Sequence, residues 1–135
     1  MASTTFSGPV TSTNGFIGAV TGNVTGNVTG DVTGNITGDV IATNQALSGA
    51  GAVNITDMLT SLTTTGASQA LTLANGTVGQ IKIISHVVDG GSAVLTPTTK
   101  IGFTTITFTA VGDGVTLIYT TAGWAIVGDR GVTIA

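Results

Sequence analysis

Between Val20 and Val40 the chain repeats one four-residue unit five times, Val/Ile-Thr-Gly-Asn/Asp, before a closing valine. An even period fits the two-residue alternation of an extended strand. Val20, Val24, Val28, Val32 and Ile36 then share one edge with Gly22, Gly26, Gly30, Gly34 and Gly38, while Thr and Asn or Asp take the other. A helix would lose roughly 1 kcal/mol at every glycine against alanine, and the β-branched residues add to that penalty. Collagen is excluded because glycine falls every fourth residue and the run has no proline. Such a segment cannot bury its aliphatic edge alone. Glycine at alternate inward positions suits the close approach of another backbone, and three identical copies around an axis would supply it. The composition is also that of a flexible glycine-rich linker.

Charge is scarce elsewhere too. Only 7% of the 135 residues are charged, with six acidic and three basic residues, a single histidine and no cysteine. Every acid is Asp, and Thr, Gly, Val, Ala and Ile fill most of the rest, so β-branched residues set an all-β class. A mean hydropathy of +0.54 with so few charges suits a protein packed against other copies or a larger assembly better than a free monomer. The net charge of −3 gives no electrostatic footprint for nucleic acid. No apolar run approaches the roughly 20 residues of a membrane span, and Met1–Phe6 has neither the basic nor the apolar region of a secretory signal. Without cysteine there is no disulfide framework and no thiolate zinc site.

Along the chain, Gly8-Pro9 and Asn14-Gly15 mark turns in a lead-in whose apolar anchors are Phe6 and Phe16. These two are expected either to dock the arm into a neighbour or to pack on their own oligomer. Residues 41–54 read as a Gly/Ala/Ser-rich link with its hinge at Gly49-Ala50-Gly51. The expected division is an extended arm over 1–48 and a small all-β domain over 49–135.

The domain opens ambiguously, since Ile55, Met58, Leu59 and Leu62 fit two helical turns, whereas Thr63-Thr64-Thr65 prefers a strand. The reading leans to strand. Val78 to Val88 reads as a long strand with Ile81, Ile83 and Ser85 on one face and Lys82, Ile84 and His86 on the other. Asp89-Gly90-Gly91 predicts a hairpin turn back into Ala93–Thr96, stopped by Pro97. Ile106 and Phe108 alternate towards a core, and Val115–Tyr119, Trp124–Val127 and Gly131–Ala135 complete the set, with Trp124 and Phe108 its largest core members. About seven short strands separated by glycine turns indicate a β-sandwich, jelly-roll-like domain or small barrel.

The arm, with Phe6-Ser7-Gly8-Pro9-Val10, Asn14-Gly15-Phe16-Ile17-Gly18 and the Val-Thr-Gly-Asn repeats, resembles the N-terminal part of virion structural proteins of tailed bacteriophages, notably marine and cyanobacterial ones. The domain is similar to their small β-domains over Leu71–Lys82, Thr105–Phe108, Val111–Leu117 and Gly123-Trp124. The resemblance implies a non-enzymatic, commonly trimeric protein: a capsid decoration (cement) protein on the major capsid protein shell, or a head or tail fibre. It implies a place on the virion after synthesis in the host cytoplasm. On that reading Phe6, Phe16 and the inward repeat positions Val20 to Gly38 make the arm and oligomer contacts.

Catalysis finds little footing in the residues. A nucleophile needs a base and an orienting group, and Ser85, His86 and Asp89 cannot converge when neighbouring strand residues point to opposite faces. Asp89, Asp113 and Asp129 have a sufficient role in turns. Asp31 and Asp39, on the outward repeat edge, could gather around calcium in a trimer, but the spacing fits neither an EF-hand nor a nonapeptide calcium repeat. No cofactor or metal is therefore expected. A sugar-binding surface would need exposed aromatics, and Tyr119 and Trp124 sit in core-like alternation. A β-solenoid enzyme with the repeats as coils would need far more repeats and a polar cleft.

Overall fold

The structure, a computed structural model, describes residues 35–135. Expectations for Phe6, Phe16, Asp31 and repeat positions 20–34 lie outside the described residues. A compact unit runs from Gly38 to Ala135. It is all-β, with ten strands in two five-stranded mixed sheets, compatible with a small β-sandwich.

The first six strands alternate between the sheets: β1 (Asn44–Ser48), β3 (Leu59–Thr63) and β5 (Ile81–Val88) lie parallel in one, and β2 (Gly51–Val53), β4 (Gln69–Leu73) and β6 (Ala93–Pro97) lie parallel in the other. The chain thus winds coil upon coil, with Asn44 opposite Leu59 and Leu59 opposite Ile83 in one sheet, and Gly51, Leu71 and Leu95 aligned in the other. Four strands then close the stack in antiparallel fashion. β7 (Ile106–Phe108) and β10 (Thr133–Ile134) extend the second sheet, and the β8 (Gly114–Thr120) and β9 (Gly123–Arg130) hairpin extends the first. A jelly roll would pair its strands antiparallel, so the parallel half separates this topology from that alternative. Solenoid-like winding is present, but it lies in residues 44–97 and not in the described end of the repeat.

Two local expectations change, and a third, the lean to strand over residues 55–65, is met. Residues 41–54 are not a plain link, because β1 and β2 form there and each is a sheet edge; the compact unit therefore begins before residue 49. Gln45 explains part of this. Its side-chain carbonyl accepts from Asn54 N (2.9 Å) and Thr60 Oγ1 (2.9 Å), and its amide donates to Ala52 O (2.9 Å), tying the first coil together. Second, Asp89-Gly90-Gly91 is not a hairpin, since β5 and β6 belong to different sheets. The Asp89 carboxylate still accepts from Gly91 N at 2.8 Å, but the turn serves as a corner. Third, the ambiguous 55–65 stretch holds β3 and no helix.

The corner stacks on the one beneath it. A Cβ on Gly90 would lie 2.4 Å from Thr64 O, and one on Gly91 (φ +139°) 2.5 Å from the Gly66 carbonyl carbon. Backbone contact requires glycine at both positions, and at Gly91 the positive φ requires it as well.

The core lies between the sheets. Leu62, Ile84, Val115 and Leu117 face Val53, Leu71, Leu73, Leu95, Ile106 and Phe108, and Trp124 closes one end, fully buried with its indole N–H donating to Ala74 O at 2.8 Å. The alternation read for Ile106 and Phe108 is observed.

Candidate functional site

Strand β5 has two unlike edges, and the buried one is the more polar. Lys82, Ile84 and His86 point inward at 0–1% exposure, whereas Ile81 (42% exposed) and half-buried Ile83 face outward. Register fixes this choice: Lys82 and Ile84 lie opposite Leu117 and Val115, whose side chains are in the core.

Each buried ionisable group has a local partner. Lys82 Nζ donates to the backbone carbonyl of Asp57 at 2.7 Å. Burial pushes the Lys82 ammonium pKa down to about 8, and the nearby Asp57 carboxylate partly offsets that. The Asp57 carboxyl is held below its ordinary value first by the Asn54 amide, which donates to it at 2.7 Å, and then by Thr43. His86 Nε2 lies 3.0 Å from Thr64 Oγ1, while Nδ1 has no hydrogen-bond partner among the described residues. The ring packs edge-on to Phe108, centroids 6.4 Å apart.

Asp113, almost fully buried, organises the β7–β8 turn by accepting from Thr109 N (2.7 Å) and Ala110 N (2.9 Å). Burial alone would raise its carboxyl pKa, but these backbone donors hold it below the ordinary value.

Ser85, His86 and Asp89 are not brought together. Ser85 lies on the opposite face from His86, and Asp89 is committed to its corner. Among the described residues no three His, Cys, Asp or Glu side chains cluster for a metal, and Asp39 is exposed. Trp124 offers no ring to a sugar; Tyr119 is half-buried against it, edge-on at 5.1 Å.

Of the predicted contact residues, Ile36 and Gly38 are described. Ile36 is 63% exposed. Gly38 has φ +131° and nothing within 4 Å of where a Cβ would stand, so the close approach expected at this glycine is not made within one chain.

One cluster of exposed apolar side chains lies just after the repeat; others, such as Val87, Val88, Ile101, Val111 and Val127, lie elsewhere. Val40, Ile41, Ala42, Thr43, Ile55, Thr56, Met58, Gly79, Gln80 and Ile81 wall a groove of about 460 Å³; none of them is ionisable, and the Asp57 carboxylate adjoins it through its hydrogen bond with Thr43. Val40 is 68% exposed, Ile41 91% and Met58 37%. Beside the groove, two rows cross the outer face of the first sheet: Ile81, Ile118 and Ala125 in one, and Leu59, Ile83, Thr116 and Gly128 in the next. Asp129 and Arg130 enter only at the far end of β9, beside a second hollow of about 340 Å³ bordered by Gly112, Gly114 and Gly128. Sequence reasoning missed the groove because its walls come from three separated segments. The signal available was Val40-Ile41, two bulky aliphatic residues at the end of a glycine-spaced run.

The fold and this surface define an all-β protein of two mixed sheets with an aliphatic patch on one outer face, bordered by Ser85, Thr116, Asp129 and Arg130. Compared with known protein families and with curated proteins, the chain matches none of them.

Proposed function

We propose that the chain is a non-enzymatic virion structural protein of a tailed bacteriophage, a homotrimer that decorates the capsid and stabilises the major capsid protein shell. The observation that carries this reading is β5, which buries Lys82 and His86 while leaving Ile81 and Ile83 outward beside a groove with no ionisable side chain in its walls. A lone exposed isoleucine is ordinary, but a contiguous aliphatic face rimmed by polar residues marks a surface that a partner covers. The scarcity of charge supports the same conclusion. The arm resemblance supplies the phage context, and the repeat supplies the means. As an extended strand, residues 20–40 would reach up to about 65–70 Å at roughly 3.3 Å per residue, enough to cross between capsid subunits or to wind with two partner arms. Three tethered arms bind with high effective concentration and leave the shell slowly.

Copy number on the particle tests this reading. Copies covering the icosahedral shell are the expected result. A handful at a vertex or tail would instead establish the alternative, a head or tail fibre ending in a receptor-binding tip.

A further inference from the structure

We infer that the groove walled by Thr43, Met58 and Ile81 receives Ile41 of a second copy of this chain, so that three copies hold one another head to tail. This inference rests on the trimeric reading above and adds where the domains touch. Ile41 stands on the rim of its own groove yet is 91% exposed, so its own chain does not cover it. Its position in the sequence argues for a second copy. Ile41 follows directly on Val40, the residue closing the fifth repeat. On the trimeric reading the copies are joined through the repeat, which ends one residue before Ile41, and this brings their Ile41 residues near one another. The groove of each copy, bounded by residues 40–43, is then within reach of the next copy's isoleucine.

The chemistry also matches. An aliphatic side chain fits walls that are mostly Val, Ile, Ala, Met and Thr with one Gln and one Gly, and no ionisable side chain is among them. The contact joins a projection on one copy to a hollow on the next, a heterologous pairing that forms a closed ring when the rotation permits. Three arms on one axis impose that rotation.

The test is sedimentation velocity on the full chain over a concentration series, with Ile41→Asp, Met58→Asp and, as control, Val111→Asp, which is 62% exposed in the turn before β8. Trp124 fluorescence verifies that each variant is folded. The wild type and Val111→Asp should form the same trimer. Ile41→Asp and Met58→Asp should each need about tenfold or more higher concentration to associate, as loss of a central apolar anchor does. A trimer unaffected by Ile41→Asp overturns the groove contact but leaves the trimeric reading standing. A shift with Ile41→Asp and none with Met58→Asp also overturns it, because Ile41 would then bind elsewhere. A wild type that stays monomeric overturns both.

Discussion

Thr64 and His86 meet inside the stack of corners: Thr64 Oγ1 lies 3.0 Å from His86 Nε2 and accepts from Gly90 N at 2.9 Å. One hydroxyl therefore joins the second coil to the third. Thr64→Val should lower stability by about 1–3 kcal/mol, the usual result of stranding buried polar partners, and Thr64→Ser should recover most of it. Because His86 Nδ1 has no partner among the described residues, His86→Leu should be tolerated better than Thr64→Val, and the double variant should cost less than the two single changes summed. Denaturant unfolding of the four proteins provides the cycle.

Stacked corners also make Gly90 and Gly91 intolerant of a side chain. Gly91→Ala brings a Cβ to 2.5 Å from the Gly66 backbone at φ +139°. A loss of about 3 kcal/mol or more is expected, combining strain at an unfavourable φ with backbone displacement. Gly102→Ala is the comparison. It has φ +79° but open space around the new Cβ, so the cost should be only about 1 kcal/mol. Equal melting temperatures for the two variants would contradict the close packing of the corners.

Lys82 makes stability depend on alkaline pH. Its folded-state pKa, about 8, is below the ordinary 10.5, so the unfolded chain holds the proton more tightly. Its contribution is lowest below pH 8 and rises between about pH 8 and 10.5. The melting temperature should climb across that window in the wild type. Lys82→Met should flatten the climb and be neutral or stabilising at pH 7, because a buried charge is replaced by an apolar chain of similar length.

Acid should act in the opposite direction through Asp57 and Asp113. Both carboxyls are held below their ordinary 3.8, so their contribution is complete above that value and is lost as pH falls through the lower folded-state values. Asp113→Ala strands the N–H groups of Thr109 and Ala110 and should cost about 1–3 kcal/mol at neutral pH. Asp113→Asn keeps an acceptor and should cost less while reducing the acid dependence. Melting curves between pH 2 and 7 read both effects.

How much of this was legible depended on whether a signal was local. Alternation placed Ile106 and Phe108 in the core, and the two faces of β5 were separated correctly. The strands read at Val115–Tyr119 and Trp124–Val127 do pair as a hairpin. Asp89-Gly90-Gly91 announced a sharp turn, but a turn does not state which sheet the next strand joins, and here the answer depends on the corner below it. Residues 41–54 looked like a link because β1 presents a polar Gln45 on the side facing Asn54 and Thr60, where an aliphatic residue would have advertised a strand. Inward Lys82 and His86 were equally hidden, since their hydrogen-bond partners, Asp57 and Thr64, lie far away in the sequence.

The inward glycines of the repeat give the assembly prediction. Replacing Gly26, Gly30 and Gly34 together by Leu should abolish association and capsid binding while the Gly38–Ala135 unit keeps its fold, seen as unchanged Trp124 fluorescence. Normal capsid binding by that triple variant would contradict close approach of several backbones.

The solution mass of the 135-residue wild-type chain tests the central claim most directly. Sedimentation equilibrium should return about three times the 13.2 kDa of one chain; a single species at one chain mass, unchanged as concentration rises, would contradict the account.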